Sequence, residues 1–368
     1  MKFMMADAEY SLSRSRIQLK RLPRKPLKFD PLELFTAIAR DSDYKIWASD
    51  DHADFLAKVG ASLKAAVDDQ RLLHGKRIEA LFAHVAGALG QCAMVKQEDS
   101  GAIFSAGKNI QAPDYSLVLK DGSRFMVEVK NCHHGNPKDS YIFRRDYVER
   151  LENYAALQGA TIKFAMYFSR VNRWALLSRS SLTAHKNKFT INLLEAFARS
   201  EMIALGDRMI GTTPNLSIEL VASKDKGSFL AEDGDANFTV GDVRIFCADN
   251  EIHDSKDKSI AFYLIRFGRW MAGNPEANMN GDRVISIRYD FCPCGEWDKE
   301  AGFAIVGEFS SMVSSAYHEL TVYEQKVVAL DAKVDPELFS VDIEDGYSGK
   351  NLPLWQFAIQ PNPDFKAG

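Results

Sequence analysis

Residues 114–130 constrain the fold more than any other stretch of this chain. Asp114-Tyr-Ser-Leu-Val-Leu and Arg124-Phe-Met-Val-Glu-Val-Lys are rich in β-branched and aromatic residues, and Lys120-Asp121-Gly122-Ser123 separates them. Asp-Gly between two such runs is a strong hairpin cue, because glycine accepts the positive φ that a tight turn needs. In a strand, alternate side chains share a face, so Glu128 and Lys130 point one way while Phe125, Val127 and Val129 point the other, into apolar packing. The four-residue turn returns the end of the second strand beside the start of the first. Asp114, Glu128 and Lys130 can therefore cluster at one end of a sheet.

The flanking sequence supplies the rest of a sheet covered by helices. Apolar residues at three- and four-residue spacing predict helices over 31–40 and 51–70. In 74–90, Ile78, Leu81, Phe82, Val85 and Leu89 form one stripe, and Gly90 is a natural stop. A weak strand is expected at 92–97. A helix is expected over 139–158, with Ile142, Tyr147, Leu151, Tyr154 and Leu157 in phase. Strands follow at 162–169 and 173–178, and a further helix over 190–205. After about residue 210 the pattern changes to short strand-like runs separated by Gly, Asn and Asp, SIAFYLIRFGRW (259–270) among them. The expected division is a basic N-terminal arm and first helix over 1–40, a mixed α/β domain over 41–205, and a β-rich part over 206–368.

Two carboxylates and an ammonium in this arrangement suit phosphodiester hydrolysis. Carboxylate oxygens bind hard cations such as Mg²⁺. Such an ion polarises a phosphoryl oxygen and lowers the pKa of a bound water. A nearby ammonium orients that water or offsets charge in the transition state. Charged groups on an otherwise apolar sheet are costly unless compensated, and a cation compensates the two acids.

Pro113-Asp114 followed by Glu128-Val129-Lys130 on adjacent expected strands resembles the PD-(D/E)xK nuclease superfamily. The likeness covers roughly residues 74–178. It implies a restriction-endonuclease-like mixed sheet flanked by helices. It also implies Asp114 and Glu128 as metal ligands, Lys130 as the residue assisting the attacking water, and the main-chain carbonyl of Val129 as a further ligand. Many members add a glutamate from the preceding helix, and Glu79 stands at the matching place; the plain alternative is a solvated helix face. The helix after the hairpin flanks the active site in that family. Of its residues, Tyr141 and Arg145, four apart on one helical face, are the expected nucleic-acid contacts.

Other residues carry weaker signals. His133 and His134 follow the triplet directly and could meet a phosphate or move a proton, or simply fill a loop. Arg170 with Asn172-Arg173-Trp174 could contact nucleic acid; the competing reading is a turn with Trp174 packed in the core. Residues 11–28 contain seven Lys or Arg and no acid, a basic arm for phosphates or a solvated leader. Cys292-Pro293-Cys294 lacks a second ligand pair at zinc spacing, with only Cys247, His253 and His318 to complete it.

Composition excludes several classes. Hydrophobic residues at 46% and charged residues at 26% are enough for a full core, so global disorder is not expected. Five scattered cysteines do not make a disulfide framework, and no run approaches a membrane span. A reducing, cytoplasmic setting is expected. The net charge of −4 leaves nucleic-acid binding to local patches. The functional expectation is a Mg²⁺- or Mn²⁺-dependent endonuclease acting on DNA, in host defence, restriction or mobile-element processing, with RNA also open as substrate. A homodimer or a larger assembly would suit cutting of both strands. The alternative is a catalytically silent nuclease-fold protein that binds nucleic acid or a partner.

Overall fold

The turn at the centre of the hairpin is built as its residues dictate. Gly122 sits at φ +86°, and the Asp121 carboxylate accepts the Ser123 N–H at 2.8 Å. The computed structural model to which it belongs describes residues 19–22, 26–98, 103–107, 109–226, 229–230, 236–295, 297–344 and 346–367. Most of the basic arm at 11–28 therefore lies outside the described residues. Within it, Arg21 pairs with Asp331 at 2.7 Å.

The chain forms two units. The first takes the described residues of Gln18–Asp207, Val313–Phe339 and Gln360–Gly368; the second takes Arg208–Met312 and Ser340–Ile359. Among the described residues the chain first crosses between them at 207/208, and two later segments return to the first unit.

The first unit begins with helices α1 (Pro26–Ser42), α2 (Ser49–Asp68) and α3 (Gln70–Ala88). Asp69 caps α3 by accepting the N–H groups of Arg71 and Leu72, which satisfies donors that a helix start leaves open. The expected stripe of Ile78, Leu81, Phe82, Val85 and Leu89 is buried, and Gly90 follows at φ +85°. Strands β1 (Cys92–Gln97), β2 (Tyr115–Leu119) and β3 (Arg124–Cys132) form an antiparallel meander. The chain then passes through β4 (Tyr141–Arg144) and α4 (Arg145–Leu157) to β5 (Thr161–Phe168), which lies parallel to β3, and on to antiparallel β6 (Arg173–Ser178). The sheet order is β1-β2-β3-β5-β6. Met126, Cys132, Phe164, Met166 and Leu177 form a core with Val148, Leu151 and Ala155 of α4. Ring contacts of Phe82 with Tyr115 and Trp174 belong to a second apolar layer beneath α3. Each large side chain so buried contributes roughly 1.5–3 kcal/mol.

Two expectations in this unit are corrected. The single helix over 139–158 is a strand followed by a helix. Residues 141–144 alternate, Phe143 buried and Ile142 outward, and pair with β8 (Lys188–Ile191), which also pairs with β7 (Thr183–Ala184). The helix buries Val148, Leu151 and Ala155, so Ile142 and Leu157 do not belong to its packed stripe. The helix expected over 190–205 is β8, the short helix α5 (Leu193–Ala198) and a 3-10 turn at 202–205. Asn192 starts α5 by accepting the Glu195 N–H at 2.9 Å, a cap that ends the strand.

In the second unit, Leu216–Ala222, Val240–Cys247 and Arg283–Pro293, each overlapping a run expected to be a strand, are antiparallel neighbours. Only Trp270, at the end of the expected run SIAFYLIRFGRW, enters a strand, Trp270–Ala272; SIAFYLIRF (259–267) is not a strand but the body of a helix, Ser255–Phe267, capped by Asp254. Its aromatic and β-branched content suggested a strand, but Ile260, Ala261, Leu264 and Ile265 recur at helical spacing and are buried together. The helix Phe309–Thr321, which fills the gap between two expected strands of the β-rich part and runs across the 312/313 boundary into the first unit, was not expected either.

Candidate active site

Asp114 ends the loop before β2. Tyr115 lies opposite Val127 in the hairpin register, and one further step places Asp114 opposite Glu128. The Asp114 Oδ2 accepts the main-chain N–H of Val129 at 2.7 Å. Glu128 is only 4% exposed, and its Oε1 accepts hydrogen bonds from the Lys130 ammonium and the Tyr147 hydroxyl. The Lys130 nitrogen also lies 5.3 Å from the centre of the Tyr147 ring. The three residues that sequence spacing grouped therefore meet at one sheet end, and Tyr147 joins them from α4.

The charges perturb one another. Burial, then the negative charges of Glu128 and Glu79, push the Asp114 carboxyl up to about 7, against the opposing pull of the Val129 N–H and Lys130. Burial pushes the Lys130 ammonium down, but the Glu128 carboxylate and Tyr147 outweigh it and hold the lysine above its ordinary range. Burial and the Glu128 charge raise the Tyr147 phenol. A lysine held this firmly in its charged form can donate hydrogen bonds and offset negative charge, but it is a poor proton acceptor at neutral pH.

The donor set fits a hard divalent cation. Among the described residues no three His, Cys, Asp or Glu side chains form a ready metal cage, at this site or around Cys292 and Cys294. What the site offers is two adjacent carboxylates, each with one oxygen engaged: Asp114 Oδ2 by Val129 and Glu128 Oε1 by Lys130 and Tyr147. No hydrogen bond among the described residues engages Asp114 Oδ1 or Glu128 Oε2. Mg²⁺ ordinarily keeps several waters and takes one or two carboxylates, and burial, followed by the Glu128 and Glu79 charges, disfavours an ionised Asp114, a cost that a cation beside it would offset.

The other expected residues fall in different places. Glu79, on α3, is near enough for its charge to act on Asp114, but its carboxylate pairs with Lys76 at 2.6 Å. Tyr141 is half-buried on β4, not on a helix, so its expected helical partnership with Arg145 does not exist. The charges of Lys130 and Glu128 still act on its phenol, which burial chiefly raises. Arg145 begins α4, and its guanidinium donates to the carbonyls of His185 at 2.7 Å and Lys186 at 3.0 Å while covering the Phe189 ring; it anchors the β7–β8 hairpin. His133 lies just past β3 and bonds Ser169 at 2.7 Å. Arg170 is exposed at the β5–β6 turn. Trp174 is packed in the core, and its indole N–H donates to Ser314 at 2.9 Å.

Tyr147 was read from the sequence as a packing residue. The available signal was its place one position before the buried Val148, at the edge of the apolar stripe where a phenol can keep its ring packed and turn its hydroxyl toward a polar site.

No protein-family model and no curated protein matches the chain. Among the solved structures that match, Hjc of Archaeoglobus fulgidus, a Holliday junction resolvase from an archaeal hyperthermophile, is similar over 28% of this chain and 79% of its own. The identity is 18% and the TM-score 0.22. A score of that size falls short of a shared fold, and the reading of the site rests on its own residues.

Proposed function

We propose that the first unit is a divalent-metal-dependent nuclease that hydrolyses phosphodiester bonds in DNA, on a restriction-endonuclease-like core. The observation that carries this reading is the pairing of Asp114 and Glu128 on adjacent strands, each with one oxygen held by the protein, beside a lysine kept charged. Asp114, Glu128 and the carbonyl of Val129 would hold Mg²⁺ or Mn²⁺, with Glu79 as a further carboxylate from α3. The bound ion would supply Lewis acidity toward the phosphoryl oxygen and a more acidic water. The Val129 N–H fixes the Asp114 carboxylate against rotation. Lys130 donates hydrogen bonds to the nucleophilic water or to the scissile phosphate and offsets the negative charge that gathers there. Its charged state assigns it to orientation and charge stabilisation, not to proton abstraction.

A second reading has one observation in its favour. Lys130 and Tyr147 both occupy Glu128 Oε1, as they would in a silent nuclease-fold protein whose site had closed on itself and which binds nucleic acid without cutting it.

Incubation of the purified chain with plasmid, linear and single-stranded DNA, and with RNA, in Mg²⁺ or Mn²⁺ separates the readings. Cleavage of DNA that EDTA stops, and that Asp114→Ala and Lys130→Ala abolish, is the expected result. Cleavage that survives either substitution would overturn the assignment; metal-independent DNA binding without cleavage would favour the silent reading. Cleavage of RNA alone would move the substrate class.

A further inference from the structure

Three residues of α4 stand in one row beside its buried stripe: Tyr147, Arg150 and Tyr154, spaced three and four apart. Each ends in a polar contact to the segments that deliver the acids. Tyr147 donates to Glu128 on β3. The Arg150 guanidinium donates to the Gln111 side-chain oxygen at 3.2 and 3.3 Å, and the Arg150 carbonyl accepts the Gln111 N–H at 3.2 Å. Gln111 stands three residues before Asp114. Tyr154 donates to Glu98 at 3.3 Å, and the Glu98 N–H donates to the Asp114 carbonyl at 2.9 Å. The helix is already docked on the sheet by Val148, Leu151 and Ala155, so this polar row is not needed to hold it there.

From this row we infer that Tyr147 is a positioning residue that gives the two oxygens of Glu128 different tasks. By donating to Oε1, which also receives the Lys130 ammonium, the phenol fixes the carboxylate's rotation. It leaves Oε2, which no hydrogen bond among the described residues engages, for a divalent cation held together with Asp114. The ring, 5.3 Å from the Lys130 nitrogen and 5.9 Å from the Arg150 guanidinium, is within cation–π reach of both and helps hold the lysine against its acid. Without the phenol the Glu128 carboxylate can rotate and offer both oxygens to Lys130, in a bidentate ion pair that competes with metal. Partners of this kind around a metal ligand typically change metal affinity by roughly 10–100-fold.

This inference rests on the metal-dependent reading above, and the test separates the two. Mn²⁺ binding to the full chain is measured by electron paramagnetic resonance of the free ion, for the unaltered protein, Asp114→Ala and Tyr147→Phe, with thermal melting of each. The expected result is binding by the unaltered protein, none by Asp114→Ala, and binding about 10-fold or more weaker in Tyr147→Phe at an unchanged melting temperature. Binding in Tyr147→Phe within twofold of the unaltered protein overturns the role of Tyr147 and leaves the metal-dependent reading standing. Weaker binding in proportion to a lower melting temperature also overturns it, since the phenol would then act through stability. No Mn²⁺ binding by the unaltered protein removes both.

Discussion

Asp114 reaches across the hairpin to accept the main-chain N–H of Val129 at 2.7 Å, which ties the first carboxylate to the strand that carries the second carboxylate and the ammonium. The distance between Asp114 and Glu128 is thus set by the sheet ladder and not by flexible side chains. Placing a site on a central strand in this way gives the precision that loops do not. It also concentrates negative charge in a half-buried place, and that concentration has measurable consequences.

The first is a pH-dependent stability. The Asp114 carboxyl titrates at about 7 in the folded chain against 3.8 for the ordinary side chain. A carboxyl raised on folding favours the folded state in full below its unfolded value, and that contribution is lost as pH rises through the folded value. Without divalent metal, the melting temperature should fall between about pH 4 and about pH 7. Asp114→Asn, which cannot ionise, should lose that part of the fall. Millimolar Mg²⁺ should restore stability at the upper pH and do little at the lower one, since a protonated carboxyl competes with the metal. Calorimetric melts with EDTA and with Mg²⁺ decide this; equal Mg²⁺ effects at both pH values would contradict it.

Lys130 offers the second. Its ammonium is compact and meets one oxygen of Glu128, whereas a guanidinium is a planar fork suited to both oxygens of a carboxylate. Lys130→Arg should therefore keep the charge but misplace the donors, and engage Glu128 through both oxygens. Turnover at saturating Mg²⁺ should fall by at least about 10²–10³-fold in Lys130→Ala, the range for loss of one donor to a developing charge, which leaves no cleavage detectable in the plasmid assay. Lys130→Arg should recover little of it. Full activity in Lys130→Arg would mean that charge alone suffices.

Arg145, by contrast, should matter for stability and not for chemistry. Its guanidinium satisfies the carbonyls of His185 and Lys186 at 31% side-chain exposure. Arg145→Ala should cost about 1–2 kcal/mol, a fall of roughly 4 °C in melting temperature, with cleavage per folded molecule unchanged. A loss of DNA affinity without a loss of stability would restore the nucleic-acid role that the sequence suggested.

These residues show what the sequence made legible. The Asp-Gly turn and the alternation around it place Asp114, Glu128 and Lys130 correctly, because strand period and turn chemistry are local properties. The stripe of α3 is legible for the same reason. Tyr141–Arg144 was not, because its strand character comes from pairing with Lys188–Ile191, more than 40 residues away, and long-range pairing overrides local preference. Ser255–Phe267 misled in the opposite sense: its Ile, Phe and Tyr content favours strands, while the buried spacing of Ile260, Ala261 and Leu264 decides for a helix. Tyr147 was hidden because a phenol on a helix stripe reads as packing until the acid beneath it is located.

β3 and β5 run parallel, so the loops that leave them emerge on one edge. The Ser169 N–H donates to the Cys132 carbonyl at 3.1 Å, His133 bonds Ser169, and the Arg170 guanidinium lies beside Gly135. An exposed arginine and an exposed histidine thus flank the end of the strand that carries Lys130, where a sugar-phosphate backbone leaving the site would pass. If Arg170 contacts one phosphate there, Arg170→Ala should weaken DNA binding uniformly across sequences and reduce the slope of log affinity against log salt by about one. Fluorescence anisotropy of a labelled duplex from about 50 to about 200 mM salt, with Ca²⁺ in place of Mg²⁺ to prevent cutting, measures that slope. The Arg170→Ala chain should fold and melt as the unaltered one does, because the guanidinium is solvent-exposed. A slope that does not change would place Arg170 outside the path of the nucleic acid, and the cationic rim would then have to lie along the 133–138 loop alone.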